Sequence, residues 1–167
     1  MIRLSLEEIN LRAPYEVAFA RQSGTFQFTT RQGRQYIVGF VEETMLTYSG
    51  IYQFFIRAEN HTQNDDDMFA TVVSILEVYF ESGALALTYI CDIRDNRQAA
   101  RSRLFNRWFA RYPLNHMYSF LNKRIIVEDT EYFIAALVRK DESLHDNVVS
   151  EFRTLIRTLE SEDKSDL

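Results

Sequence analysis

Apolar residues alternate with polar or small ones through the first third of the chain, then recur at three-and-four spacing from about residue 65 onward. Tyr15, Val17 and Phe19 open the alternation, Ser23-Gly24 turns the chain into Phe26 and Phe28, and Arg31-Gln32-Gly33 turns it again into Tyr36, Val38 and Phe40. These spacings predict an antiparallel meander. After a loop around Ser49-Gly50, Tyr52, Phe54 and Ile56 predict a fourth strand of the same period. Asn64 to Asp67 opens a helix in which Phe69, Val72, Val73, Leu76, Tyr79 and Phe80 recur at helical spacing, with Gly83 as its stop. Ala84 to Cys91 is apolar almost throughout, as in a strand covered on both faces.

A second helix is predicted from Asp95 to Tyr112. Ala100, Leu104, Phe105, Trp108, Phe109 and Tyr112 share one broad face, Asp95 with Gln98 has capping-box spacing, and Pro113 marks the stop. Arg124 to Val127 and Tyr132 to Arg139 predict a hairpin around Glu128 to Glu131. Ser143 is the expected cap of a last helix carrying Val148, Phe152, Leu155, Ile156 and Leu159. The expected fold is α+β in the order β-β-β-β-α-β-α-β-β-α, an antiparallel-leaning mixed sheet with helices packed on it, so that Leu104, Phe105, Trp108, Phe152 and Leu155 would meet in one core. The N-terminal dozen residues, with Leu4, Ile9 and Leu11, fit a short helix or a loose arm.

Composition narrows the class. The chain has 167 residues, 46% hydrophobic and 14% aromatic, enough to bury a core without disulfides or metal. One domain over 1–160 is expected, with a polar, disordered tail over 161–167. The formal net charge of −5 supplies no overall attraction to nucleic acid or to an anionic membrane. Cys91 is the only cysteine, and no apolar run approaches the ~20 residues that span a bilayer, so a cytoplasmic location is expected.

The segment Cys91 to Phe109, CDIRDNRQAARSRLFNRWF, carries the most distinctive chemistry. On the expected helix, Arg97 and Arg101 fall toward the apolar side, one turn before Leu104 and Trp108. Arg103, Arg107 and Arg111 form a separate basic row on the flank. A guanidinium held against apolar surface needs a partner. Two arrangements answer that need. In one, Asp92 and Asp95 tie down Arg97 and Arg101 as an ion-pair knot at the strand-to-helix turn. In the other, the free N–H groups of the helix start join both arginines to receive a phosphate or carboxylate, although Asp92 would oppose an anion.

Elsewhere the residues point to ordinary structural roles. His61, His116 and His145 lie far apart and show no ligand spacing with Cys91, so no metal is expected. Ser23, Ser49 and Ser102 lack a nucleophile-elbow context, and Asp65-Asp66-Asp67 suits a helix N-terminus.

The run from Tyr89 to Phe109, with its Cys-Asp, Asp-x-Arg-Gln-Ala-Ala-Arg and Arg-Leu-Phe-x-Arg-Trp-Phe pieces, resembles a bacterial family of domains of unknown function. The element order is also similar to the later half of the GNAT acyltransferases, whose fourth helix often reads Asn-x-x-Ala followed by an aliphatic-Tyr pair. Asn96, Ala99 or Ala100, Leu104 and Phe105 echo that motif with the spacing off by one. The GNAT resemblance implies acyl-CoA, whose pyrophosphate rests on a glycine-rich helix start after the fourth strand. Here the corresponding loop, Arg57 to Asp67, has no glycine and brings three consecutive aspartates, while Phe105 stands where that family's tyrosine acid would be. No cofactor is therefore expected. The chain reads as a binding or regulatory module without catalysis of its own, whose partner would be a protein. The alternative is a GNAT-like acyltransferase or small-anion enzyme using the junction of strand 84–91 and helix 95–112.

Overall fold

The computed structural model describes residues 2–59 and 65–165. The fold is mixed α+β with mostly antiparallel strand pairing. The residues gather into two compact units, Met1–Glu42 with Phe54–Ala84, and Glu43–Gln53 with Leu85–Leu167.

The first unit contains helix α1 (Leu6–Arg12), strands β1 (Ala18–Phe19), β2 (Thr25–Thr29) and β3 (Gln35–Glu42), the part of β4 (Ile51–Ala58) from Phe54, and helix α2 (Asp66–Glu81). The N-terminal segment is a helix, capped by the Ser5 hydroxyl, which accepts from the Glu8 N–H at 3.2 Å. The first strand is shorter than its alternation suggests. Tyr15 and Val17 are buried ahead of it, and Phe19 is exposed. Gly24, at φ +75°, makes the turn into β2, where Phe26 lies opposite Val38 and Phe28 opposite Tyr36. The period-two aromatics thus share a face. On it Phe40 stacks on Tyr79 of α2 with ring centroids 4.7 Å apart.

Asp65 caps α2 by accepting the Met68 N–H at 2.5 Å, and also accepts the Tyr15 hydroxyl at 2.7 Å; Asp67 pairs with Arg31. Two of the three consecutive acids therefore serve the helix start and its neighbours.

The second unit holds strand β5 (Ala86–Ile90), helix α3 (Gln98–Arg111), a short 3-10 turn at Asn115–Met117, strands β6 (Tyr118–Val127) and β7 (Thr130–Arg139), and helix α4 (His145–Ser165). Its strands lie in the order β5-β7-β6, each neighbouring pair antiparallel. Glu128 and Asp129, at φ 49° and 62°, form the two-residue turn between β6 and β7 with the left-handed conformation such hairpins need.

Strand alternation in this unit separates two helices that were expected to share a core. Ala86, Ile134, Ala136 and Val138 face one way, where they pack with Val148, Phe152 and Ile156 of α4. Tyr89 and Phe120 face the other way and meet Phe105 and Phe109 of α3, at centroid distances of 4.7 Å each. Phe152 and Leu155 therefore belong to the α4 layer, while Phe105 and Trp108 belong to the α3 layer. The register explains the correction: consecutive residues of β5 and β7 point to opposite faces, and each face takes one amphipathic helix. Two boundaries also differ. Helix α4 begins at His145, two residues after Ser143, and continues to Ser165, so 161–165 of the expected disordered tail are helical. Residues 166–167 of that tail lie outside the described residues. No helix among the described residues is long and apolar enough to cross a membrane.

Candidate functional site

The β5–α3 junction is a short turn closed by Asn96, whose φ of 60° is a conformation that asparagine tolerates. Its backbone N–H returns to the Ile93 carbonyl at 3.1 Å. Helix α3 starts at Gln98, three residues later than the expected cap at Asp95, and Arg97 is its N-cap with no side-chain cap bond. Asp95 is occupied instead by one arginine and one backbone amide. Its carboxylate accepts the Arg97 backbone N–H at 3.2 Å and both ends of the Arg101 fork, Nη1 at 2.6 Å and Nη2 at 2.5 Å. Arg101 Nη1 also donates to the Asp92 carbonyl at 2.8 Å.

The Asp92 side chain turns the other way, onto Arg94, whose Nη2 lies 2.6 Å from it. Of the four residues Asp92, Asp95, Arg97 and Arg101, the structure thus brings Asp95 and Arg101 together side chain to side chain. It joins Asp92 to Arg101 only through backbone, and it leaves the Arg97 head exposed. Arg97 stands outside the apolar side because the helix begins after it, which turns its side chain to solvent.

Electrostatics follow the same geometry. The hydrogen bond from Arg101 holds the Asp95 carboxyl well below the usual carboxylate range, at about 2. The Arg94 hydrogen bond likewise lowers Asp92. Burial pushes the Cys91 thiol up to about 11, so it stays protonated and weakly nucleophilic near neutrality. Burial also raises the Tyr89 phenol. Deeper in the layer, Gln98 and Ser102 are the buried residues of α3. Gln98 Nε2 donates to the Glu131 carbonyl at 2.9 Å, and Asn122 Nδ2 of β6 donates to Ser102 Oγ at 2.9 Å and to Asn106 Oδ1 at 2.8 Å. Polar side chains, tied across to β6 and β7, thus fix how this helix sits on its sheet.

The outward side of α3 is different in kind. Arg103, Arg107 and Arg111 are exposed, as is Arg97 one turn before the row, and none of the four has an acidic partner among the described residues. With 100° between successive residues, Arg103, Arg107 and Arg111 fall on the arc opposite Gln98, Ser102 and Phe109. The helix has no acid of its own.

A second cluster went unseen in the sequence. Ser119 Oγ lies 2.7 Å from His145 Nε2, and His145 Nδ1 lies 2.7 Å from Asp146 Oδ1, a serine–histidine–aspartate chain in outline. The aspartate is 99% exposed, so water screens the charge that a buried acid would lend the imidazole. The chain fastens the first turn of α4 to β6. Its members are 26 residues apart, and only the register of the hairpin brings them together.

Among the described residues no group of three His, Cys, Asp or Glu side chains is placed to hold a metal ion. His61 lies outside the described residues, as do residues 60–64 of the expected cofactor loop.

A model of a family of unknown function (DUF6169) matches residues 64–154, a span that takes in α2, β5, α3, the β6–β7 hairpin and the start of α4. No curated protein sequence matches. Among solved structures, the N-terminal domain of a ribosomal-protein-alanine acetyltransferase from Clostridium acetobutylicum is similar with a TM-score of 0.44 at 13% identity, over 78% of this chain and 95% of that one. The CoA-dependent acyl-homoserine lactone synthase MesI is similar with a TM-score of 0.41 at 8% identity, over 85% and 74%. A probable acetyltransferase of the GNAT family from Chromobacterium violaceum is similar with a TM-score of 0.33 at 18% identity, over 70% and 58%.

Proposed function

As the chain belongs to the family of unknown function DUF6169, we propose that it is a binding module without catalysis of its own, and that the arginine face of α3 receives an acidic protein surface. The observation that carries this reading is the exposed set Arg97, Arg103, Arg107 and Arg111, which lacks acidic partners among the described residues, while Arg94 and Arg101 beside it are paired. Like charges four apart on a helix cost about 0.2–0.5 kcal/mol per pair. The fold tolerates that cost and does not remove it. An anionic partner would, and arginine rows at a rise of about 6 Å per four residues suit carboxylates presented at similar spacing.

A protein is favoured over nucleic acid because the chain carries 24 acidic against 19 basic residues. A polyanion would meet that excess at long range, whereas a local acidic patch meets only the helix. At the junction itself, Asp95 neutralises Arg101 and Cys91 is protonated, which speaks against small-anion or acyl-transfer chemistry there.

The test is a comparison of ligands on the whole chain. Fluorescence anisotropy with a labelled glutamate-rich peptide should show salt-sensitive binding, lost when Arg103, Arg107 and Arg111 are all replaced by Glu. Saturable micromolar binding of acetyl-CoA, or of single-stranded nucleic acid in preference to the peptide, would overturn the reading.

A further inference from the structure

We propose that the acidic partner enters as an extended strand, added to the open edge of β6 beneath the arginines of α3. This rests on the binding function proposed above and specifies the form of its ligand. Strand β7 lies between β5 and β6 in the second unit, so among the described residues β6 is paired on one side only. Its pairing with β7 is unbroken from Tyr118↔Arg139 to Val127↔Thr130. Such an edge exposes a row of backbone donors and acceptors, ready to pair with another chain.

The direction of those groups follows from one hydrogen bond. Lys140 N–H donates to the Met117 carbonyl at 2.9 Å, in register with the ladder. Antiparallel pairs alternate between bonded and non-bonded, so the odd-numbered residues of β6 bond to β7. The even-numbered Phe120, Asn122, Arg124 and Ile126 turn their N–H and C=O groups to the open side. These positions offer an edge of about 20 Å, at ~3.4 Å per residue.

Charge selects the occupant. Lys123 stands exposed at the middle of this edge, beside Arg124, whose Nε is already paired with Glu131 Oε2 at 2.6 Å. A second copy pairing antiparallel about that point would set these cations against one another, which is destabilising. An acidic strand would be drawn in. Helix α3 adds to the same field. Its Phe105 lies over Tyr89 of β5, and its Asn106 is bonded to Asn122 of β6, so rotation around the helix from Phe105 to Asn106 runs toward the open edge. A further 60–100° in that sense reaches Arg103 and Arg107, which places them beyond β6, above the position an added strand would take.

The experiment uses the whole chain and labelled peptides of about seven residues that alternate Glu with Val and Thr, the length of an ordinary strand. One version is unmodified, and two are N-methylated at one or the other alternate set of residues. A strand donates toward its neighbour from only one set, so one methylated peptide should bind about tenfold more weakly or worse and the other near normally. Ile126→Pro, which removes an outward N–H and leaves bonding to β7 intact, should weaken the unmodified peptide similarly, while Ile126→Ser should not. A helical peptide with Glu at every fourth position separates the two readings. If it binds through Arg103 and Arg107 while both methylated peptides bind like the unmodified one, the strand mode is overturned and the binding function stands. If no acidic peptide binds, both fall.

Discussion

Replacing Arg101 by alanine tests the junction most directly, because its side chain bonds both the Asp92 carbonyl and the Asp95 carboxylate of the turn. The guanidinium is neither buried nor free: it is 34% exposed and its partner Asp95 40%. At that exposure water screens the pair, and its contribution is about 0.5–1 kcal/mol even in two-pronged geometry. The bond from Nη1 to the Asp92 carbonyl adds about 1–1.5 kcal/mol, the upper part of the ordinary range, because it is only part-buried and water screens the donor's charge. Arg101→Ala should therefore cost about 2 kcal/mol, below the 3–5 kcal/mol of a broken buried pair. Urea unfolding at neutral pH measures it, and a double-mutant cycle with Asp95→Asn isolates the carboxylate's share. A loss under about 0.5 kcal/mol, or a gain, would refute the knot and restore Arg101 as an unpaired cation awaiting an anion. The pH dependence gives an independent check. The Asp95 carboxyl titrates at about 2 in the fold, against about 3.9 in an unfolded chain. Its stabilisation is thus complete above pH ~4 and disappears as pH falls through about 2. The difference between wild type and Arg101→Ala should be flat from pH 8 to 5 and shrink below 4.

Other substitutions separate the two helical layers. Phe152, fully buried beneath α4, should cost about 3–5 kcal/mol on replacement by alanine, whereas half-buried Trp108 on α3 should cost clearly less; equal losses in thermal unfolding would contradict the assignment of faces. Ser119→Ala removes the bond to His145 and should lower stability by about 1 kcal/mol without altering secondary structure, and a neutral result by calorimetry would show that the clamp is idle. Replacing Arg103, Arg107 and Arg111 together by Glu should leave the unfolding midpoint within about 0.5 kcal/mol of wild type, because the row has no acidic partner to lose; a large destabilisation would reveal an internal role for it.

Much of this architecture is legible in the sequence because side-chain period reports burial wherever apolar residues do the packing. The aromatics of β2 and β3 follow from that rule, whereas on α2 only Val72, Tyr79 and Phe80 of the expected stripe are buried and the covered face centres on Met68, Ile75 and Val78. The β6–β7 turn is tighter than the four residues expected, Glu128 and Asp129 alone. Helix α3 breaks the rule. Its most buried side chains are Gln98 and Ser102, which no hydrophobic pattern selects, and its apolar residues are only partly covered. Partners meet the Gln98 amide nitrogen and the Ser102 hydroxyl, while Gln98 Oε1 is buried without one; those partners, the Glu131 carbonyl and Asn122, lie 33 and 20 residues away in sequence.

The start of α3 shows the same competition at closer range. Asp95 with Gln98 has the spacing of a capping box, yet the Asp95 carboxylate binds Arg101 and the Arg97 N–H, and Gln98 reaches across to β7. An ionised acid gains more from a cation's fork than from one backbone amide, so the local cap gives way to the ion pair. That exchange moves the cap, and with it the helix start, two residues down the chain and leaves Arg97 exposed. Arg97 thus stands at the N-terminal end of the helix that carries Arg103, Arg107 and Arg111. The exposure of Arg97 and the knot at the junction both follow from the partners Asp95 takes. A change there, Asp95→Asn, should therefore disturb the placement of Arg97 and weaken acidic-peptide binding even though Asp95 lies off the arginine face.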